Sequence, residues 1–424
     1  MTYVRRVVDT QLDRLLEDLP AVVIDGPKAV GKTATATRRA ATVIALDDPE
    51  EIALVRADRD RLGRLPAPVL VDEWQLHPPV WDQVRRAVDA DARPGKFLLT
   101  GSATPTDAPT HTGAGRLVRV RMRPMSLSER ELVAPTVSLT DLLTGARTDV
   151  GGDSPVTLAD YADEIVASGL PGLRSLPARS RPDALDGYLD AVVQRDFADA
   201  GHVVRRPGVL RAWLAAFAAA TSTTASYNQI LDAATAGHPE KPAKTTTIAY
   251  RETLERLWLL DELPAWVGTR NHLASLGQTP KHHLADPALA ARLLGVGAGA
   301  LLDRPHPGAG AVPRDGNLLG ALFEGLVTLS VRVYAEAAGA RVSHLRTHRG
   351  DHEVDLVVTR PDGRMLAVEV KLAPVAEDHD TRHLHWLRDQ VGDDLLDAVV
   401  ITTGSAAYRR DDGIAVVPAA LLGP

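Results

Sequence analysis

The 424-residue sequence contains no cysteine. That excludes disulfides, thiolate zinc sites and cysteine nucleophiles, and it fits a reducing cytoplasm. Aromatic residues are scarce at 4%, so the cores have to be built from Leu, Val and Ala, which the 45% hydrophobic content allows. No run of about 18 uncharged apolar residues occurs, and the N-terminal MTYVRRVVDTQLDRLLEDLP is charged throughout, without the apolar segment of a signal peptide. The expectation is a cytoplasmic protein that does not cross a membrane. Lysine is rare too, seven against 41 arginines. A chain that uses arginine so freely keeps lysine where a compact ammonium is needed. Two of the seven, Lys32 and Lys371, stand inside the motifs described below. The net charge of −7 excludes a uniformly basic nucleic-acid binder and leaves local basic stretches to decide.

At roughly 100–200 residues per domain, the length calls for more than one. Apolar stretches at 21–25, 42–46, 67–71, 96–101 and 116–122 read as strands, with helices at 32–41 and 78–90 between them. This alternation predicts a three-layer α/β domain with a mainly parallel sheet over 1–150. The polar, turn-rich stretch 146–156 reads as a linker. Residues 151–280 read as a helical region rich in Ala and Leu; SYNQILDAATAG followed by KTTTIAYRETLERLWLLDEL suits a winged-helix-like unit. A Gly/Pro/His-rich stretch covers 297–316. A helix at 317–338, strands near 354–359, 366–371 and 397–402, and a helix near 380–392 make 281–424 a second α/β domain.

The strongest local signal is Gly26-Pro27-Lys28-Ala29-Val30-Gly31-Lys32-Thr33, a full match to G-x-x-x-x-G-K-[ST], with Ala34 opening the next turn. The glycines let backbone N–H groups close on phosphate oxygens, Lys32 reaches the β- and γ-phosphates, and the Thr33 hydroxyl binds Mg²⁺. ATP and Mg²⁺ are therefore the expected ligands. Val69-Leu70-Val71-Asp72-Glu73 is an apolar strand ending in two carboxylates. It offers Asp72 to the magnesium shell and Glu73 to the attacking water. A third strand ends in Thr100-Gly101-Ser102, where the Ser102 hydroxyl is a candidate γ-phosphate sensor.

These residues resemble the AAA superfamily, and more narrowly the prokaryotic ATP-binding proteins that carry a C-terminal domain of unknown function. The likeness runs through GPKAVGKT, ALDDPE (45–50), VLVDEWQ (69–75), LLTGSA (98–103), GRLVRVRMRPMSLSE (115–129), YLDAVVQRDF (188–197) and KHHLADPAL (281–289), and so covers nearly the whole chain. Such proteins often have Arg-Gln where this chain has Lys28-Ala29. The resemblance implies an ATP hydrolase completed by an arginine near the γ-phosphate, with Arg116 and Arg195 as candidates, and a homo-oligomer with its site near a subunit interface.

Glu353-Val354-Asp355-Leu356-Val357-Val358, a turn at Pro361-Asp362-Gly363, and Ala367-Val368-Glu369-Val370-Lys371 resemble the PD-(D/E)xK nuclease signature, implying a restriction-endonuclease-like fold. Alternate strand residues share a face, so Glu369 and Lys371 point together toward Asp355. Asp355 and Glu369, with Glu324 of the preceding helix, could hold Mg²⁺ or Mn²⁺, and Lys371 could position water. The alternative is a solvent-facing hairpin whose charges only pair across strands. His379, His383 and His385 follow on a helix that reads as solvated. Basic stretches at 202–211, 241–251 and 341–349 make DNA or another nucleic acid a candidate partner, with Lys244, Arg251 and Arg256 near phosphates. Glu252 and Glu255 on the same helix oppose that. Two readings stay open: an ATPase coupled to a nuclease-like domain, or a nucleotide switch whose C-terminal fold is catalytically silent.

Overall fold

The computed structural model describes residues 3–104, 115–146, 148–202, 204–236, 243–266, 268, 278–302, 316–347 and 350–424. The first sheet has five parallel strands: β1 (Ala21–Asp25), β2 (Thr42–Ala45), β3 (Val69–Asp72), β4 (Phe97–Gly101) and β5 (Leu117–Arg121), in the order β2-β3-β4-β1-β5. The central β1, β3 and β4 are apolar and buried on both faces, as parallel strands are. Alternate residues serve two cores. Val22 and Ile24 meet Val8 and Leu12 of helix Val7–Asp18, whereas Ala21 and Val23 share a core with Trp81 and Val84 of helix Val80–Ala90. The edge strands β2 and β5 are more exposed.

The second sheet has seven strands: β7 (Gly152–Asp153), β8 (Arg341–Arg346), β9 (Glu353–Thr359), β10 (Met365–Val370), β11 (Leu395–Thr402), β12 (Ala406–Arg409) and β13 (Ala415–Pro418), in the order β7-β12-β13-β11-β10-β9-β8. One face packs on helix Gly316–Ala337 through Leu356, Val358 and Val368, the other on helix Asp378–Val391 through Val357, Val400, Leu384 and Leu387. A small parallel pair, β6 (Val137–Ser138) with β14 (Leu422–Gly423), lies beside it. Residues Leu318–Ala337 are long and apolar enough to cross a membrane; here Leu322, Phe323 and Leu326 of this helix are fully buried in the protein core.

The stretch 146–156 is not a free linker. Gly152–Asp153 pairs with β12, and Ser154 donates to Ser405 (2.7 Å). The chain therefore joins the C-terminal sheet at 152–153, within the stretch read as a linker and far ahead of residue 281. Between the sheets lie helices Leu158–Ala167, Arg181–Ala191, Pro207–Ala219, Tyr227–Ala234, Lys244–Arg256 and Pro287–Leu293. Single bridges join Leu260 to Leu284, Leu263 to Lys281 and Thr221 to His282. Of the Gly/Pro/His-rich stretch, 303–315 lies outside the described residues, as do 203, 241–242 and 348–349 of the basic stretches.

Candidate functional site

The loop Gly26–Gly31 joins β1 to helix Lys32–Thr37. A Cβ on Gly26 would lie 2.2 Å from the Met122 carbonyl oxygen, so only glycine lets the loop leave the strand beside β5. Gly31 caps the helix at φ +103°, open to glycine and strained for other residues. Ala29 also holds a positive φ, +64°. Lys32 is 4% exposed and its ammonium donates to the carbonyls of Gly26 and Pro27, both at 2.9 Å. Burial pushes it down to about 8, against the opposing pull of Glu73, Asp25 and Asp72.

Because β4 lies between β1 and β3, its C-terminal end falls between the loop and the acidic pair. The Thr33 hydroxyl donates to Asp72 at 2.9 and 3.1 Å, and the Thr100 hydroxyl donates to the same carboxylate. Glu73 sits at φ +52°, which turns it off the strand line. Its carboxylate accepts from the Ser102 hydroxyl (2.8 Å) and from the Gln75 amide, which also reaches Ser102 (3.1 Å). Asp72, Glu73 and Ser102 thus meet beside the loop. The roles of Thr100 and Gln75 were not read from the sequence; their signal was the crossover order that inserts β4.

Of the two candidate arginines, Arg116 is misplaced. It precedes Leu117, which pairs with Ala21 at the far end of β1, and it binds Asp89. At ~3.3 Å per residue it is on the order of 15 Å along the strand from the loop. Arg119 of β5 reaches toward this end with its side chain: it pairs with Asp25 at 2.6 Å, and its guanidinium lies 5.0 Å from the Trp81 ring. Burial pushes the Asp25 carboxyl up, with Arg119 opposing. Arg195 is exposed on a π-helical turn, Val192–Asp196. Its neighbour Asp196 holds the Lys28 ammonium at 2.5 Å, and Tyr188 donates to the Lys28 carbonyl (3.4 Å). The Lys28 side chain therefore runs to the middle helices instead of closing over the loop.

On the opposite side of the loop is a largely apolar cavity of about 420 Å³. Tyr3, Val4, Gly31, Ala34, Met122, Met125 and Pro171 line it together with the charged Arg6, Glu129, Arg130, Glu131 and Arg174. Below it, Arg121 and Arg123 continue β5 into a buried ionic knot. Asp261 binds Arg121 (2.8 Å), Arg123 (2.7 Å) and Arg332 (2.9 Å), and Arg123 also binds Glu336 (2.6 Å).

In the C-terminal half, β9 and β10 are antiparallel neighbours, and Asp355 lies beside the Glu369–Lys371 pair (2.9 Å). The expected metal ligands, however, meet an ammonium: Lys281 binds Asp355 (2.8 Å), Glu324 (2.9 Å) and Glu353 (3.0 Å). The second Asp355 oxygen accepts from the Val370 N–H (2.9 Å). Lys281 was not singled out from the sequence; its one signal was lysine's rarity. The histidines do not form one group: His385 binds Asp412, His379 is exposed beside Glu377, and His383 faces His352. On helix Lys244–Arg256, Arg251 is bound to Glu255 (3.3 Å) and stacked on Tyr227, and Arg256 donates to the Ala200 carbonyl. Lys244 is exposed.

Comparisons with known proteins match three stretches of the chain. Residues 18–131 match an AAA domain, 158–299 a domain of unknown function (DUF8612), and 319–422 another (DUF4143). Two uncharacterized mycobacterial proteins, from Mycobacterium bovis and Mycobacterium tuberculosis, are each 27% identical over 431 residues, spanning 95% of this chain and 85% of the relative. A Walker-type ATPase of Pyrococcus abyssi matches at 16% identity with a TM-score of 0.38, over 67% of this chain and 94% of the other. The structure titled Drosophila ORC bound to DNA matches at 17% identity with a TM-score of 0.20, over 68% and 85%. The N-terminal part, with its parallel sheet and its glycine loop between β1 and a helix, is a P-loop domain, and the AAA match falls on it.

Proposed function

We propose that this chain is a Mg²⁺-dependent ATPase that works as a nucleotide-driven switch. The observation that carries the reading is the meeting of Thr33, Asp72 and Thr100 on one side of the loop with Glu73, Gln75 and Ser102 beside them. Thr33 and Asp72 form an oxygen-only donor pair of the kind Mg²⁺ takes alongside phosphates and water. They would hold the ion, which supplies charge neutralisation across the β- and γ-phosphates. Lys32 would exchange its two loop carbonyls for phosphate oxygens. Ser102 and Gln75 hold the Glu73 carboxylate as an oriented anion, ready to take a proton from the attacking water. The apolar cavity beyond Gly31 takes the base; its volume is within the range of small-ligand sites.

The switch runs through Lys28. Its side chain and its carbonyl are held by Asp196 and Tyr188, so a loop that tightens on phosphate pulls on the helices of the middle region. Arg195, solvent-facing on the same turn, is free to meet a second copy of the chain.

A second reading, a nuclease-like C-terminal domain that acts on DNA with Mg²⁺ or Mn²⁺, draws on the side-by-side placement of Asp355, Glu369 and Lys371 and on the helix–bridge–helix order of a winged-helix-like middle region. One experiment separates the two. ATP turnover is measured with and without single- and double-stranded DNA, in Mg²⁺ and then Mn²⁺, and the same DNA is run on a gel. Turnover indifferent to DNA, with the DNA intact, supports the switch. DNA-stimulated turnover with cut DNA supports the second reading. Lys32→Ala turning over ATP at the wild-type rate would remove the site altogether.

A further inference from the structure

A second site, apart from the nucleotide pocket, concerns the carboxylates of the C-terminal sheet. Asp355 and Glu353 come from β9 and Glu324 from helix Gly316–Ala337. Lys281 enters among them from the segment that bridges to Leu263, so it arrives from the middle region of the chain. It is 1% exposed. An ammonium has three N–H donors; here Asp355 and Glu324 accept from it at 2.8 and 2.9 Å, and Glu353 pairs with it at 3.0 Å. We infer that Lys281 is the resident cation of this cluster, occupying the position a divalent metal would need and making the C-terminal half metal-independent.

The donor set agrees. A divalent ion shared by Asp355 and Glu369 would have to compete with the donors already on their oxygens. Both Asp355 oxygens are engaged, one by Lys281 and one by the Val370 N–H. One Glu369 oxygen is held by Lys371, and the other is buried without a hydrogen-bond partner. The surroundings also fit a fixed positive charge. Burial and then Lys281 push the His283 imidazole down to about 3, and the same two causes push His344 down to about 4, so both stay neutral beside the ammonium. The same lysine bolts the middle region onto the C-terminal sheet. A divalent ion would have to displace that contact to enter.

The test counts Mn²⁺ bound by the nucleotide-free full-length protein, using the paramagnetic signal of free Mn²⁺, in wild type, Glu324→Gln and Glu353→Gln. Equal counts are expected. One more ion in wild type than in either variant overturns the inference. In parallel, Tm is measured for Lys281→Met with and without millimolar Mn²⁺. We expect a fall of roughly 5–10 °C, partly restored by Mn²⁺ or by adding Glu324→Gln and Glu353→Gln. Lys281→Met as stable as wild type would overturn the inference. Should Lys281→Met not fold, the Mn²⁺ count on wild type still decides.

Discussion

Lys32 makes ATP binding a proton-uptake reaction at alkaline pH. In the nucleotide-free protein its ammonium is buried against two loop carbonyls, and burial pushes it down to about 8 from an ordinary 10.5. A triphosphate requires the charged form. If the bound lysine stays fully protonated, binding takes up about 0.1 proton at pH 7 and about 0.9 at pH 9. ATP affinity then weakens toward tenfold per pH unit above 8. The sign for stability is opposite. Between about 8 and 10.5 the unfolded chain holds the proton that the folded chain has released, so nucleotide-free stability rises with pH across that window, by up to about 3 kcal/mol from this group. Calorimetric titration of ATP at pH 7 and pH 9, each in two buffers of different ionisation enthalpy, reads the uptake directly. Uptake near zero at pH 9, or uptake unchanged in Lys32→Met, would refute the reasoning.

Other substitutions probe the remaining parts. Glu73→Gln keeps ATP binding and slows single-turnover phosphate release by about 10²–10⁴-fold; a rate within threefold of wild type removes Glu73 from the water. Arg116→Ala leaves kcat within about twofold, since its partner is Asp89 at the far end of the sheet, whereas Arg119→Ala lowers it; the reverse pattern in a phosphate-release assay would show that the two were misassigned. Asp261→Asn costs about 3–5 kcal/mol in urea unfolding, because three guanidiniums lose their anion. Burial alone would raise the Asp261 carboxyl, but the three arginines hold it well below the usual range. Its stabilisation is therefore complete above the ordinary carboxylate pKa of about 4 and fades in acid below it. Unfolding measured at pH 7 and pH 3 should show wild type losing part of its margin over Asp261→Asn.

What could be read from the sequence was local. GPKAVGKT is contiguous, and the apolar run before Asp72 and Glu73 marks a buried strand by itself. Alternation could say which face of β5 Arg116 shares, but not which end of the sheet it occupies, because that depends on register with β1. The partner of Lys28 is 168 residues away in sequence, and the acids around Lys281 lie between 43 and 74 residues beyond it. Two-residue strands such as β6 and β7 carry no periodicity at all. Their identity comes from partners near the C-terminus, which is why 146–156 resembled a tether.

The knot at Asp261 has a consequence for how this chain can be divided. Three recognisable segments follow one another along it, yet the charge of one is neutralised by another. A fragment ending near 150 would carry Arg121 and Arg123 without Asp261, Arg332 and Glu336, and the remainder would bury an anion facing a single arginine. The segments are consecutive along the chain but depend on one another's charges, so exchanging one between relatives requires moving its counter-charges with it. Limited proteolysis would accordingly yield nicked chains that stay together, not separable domains.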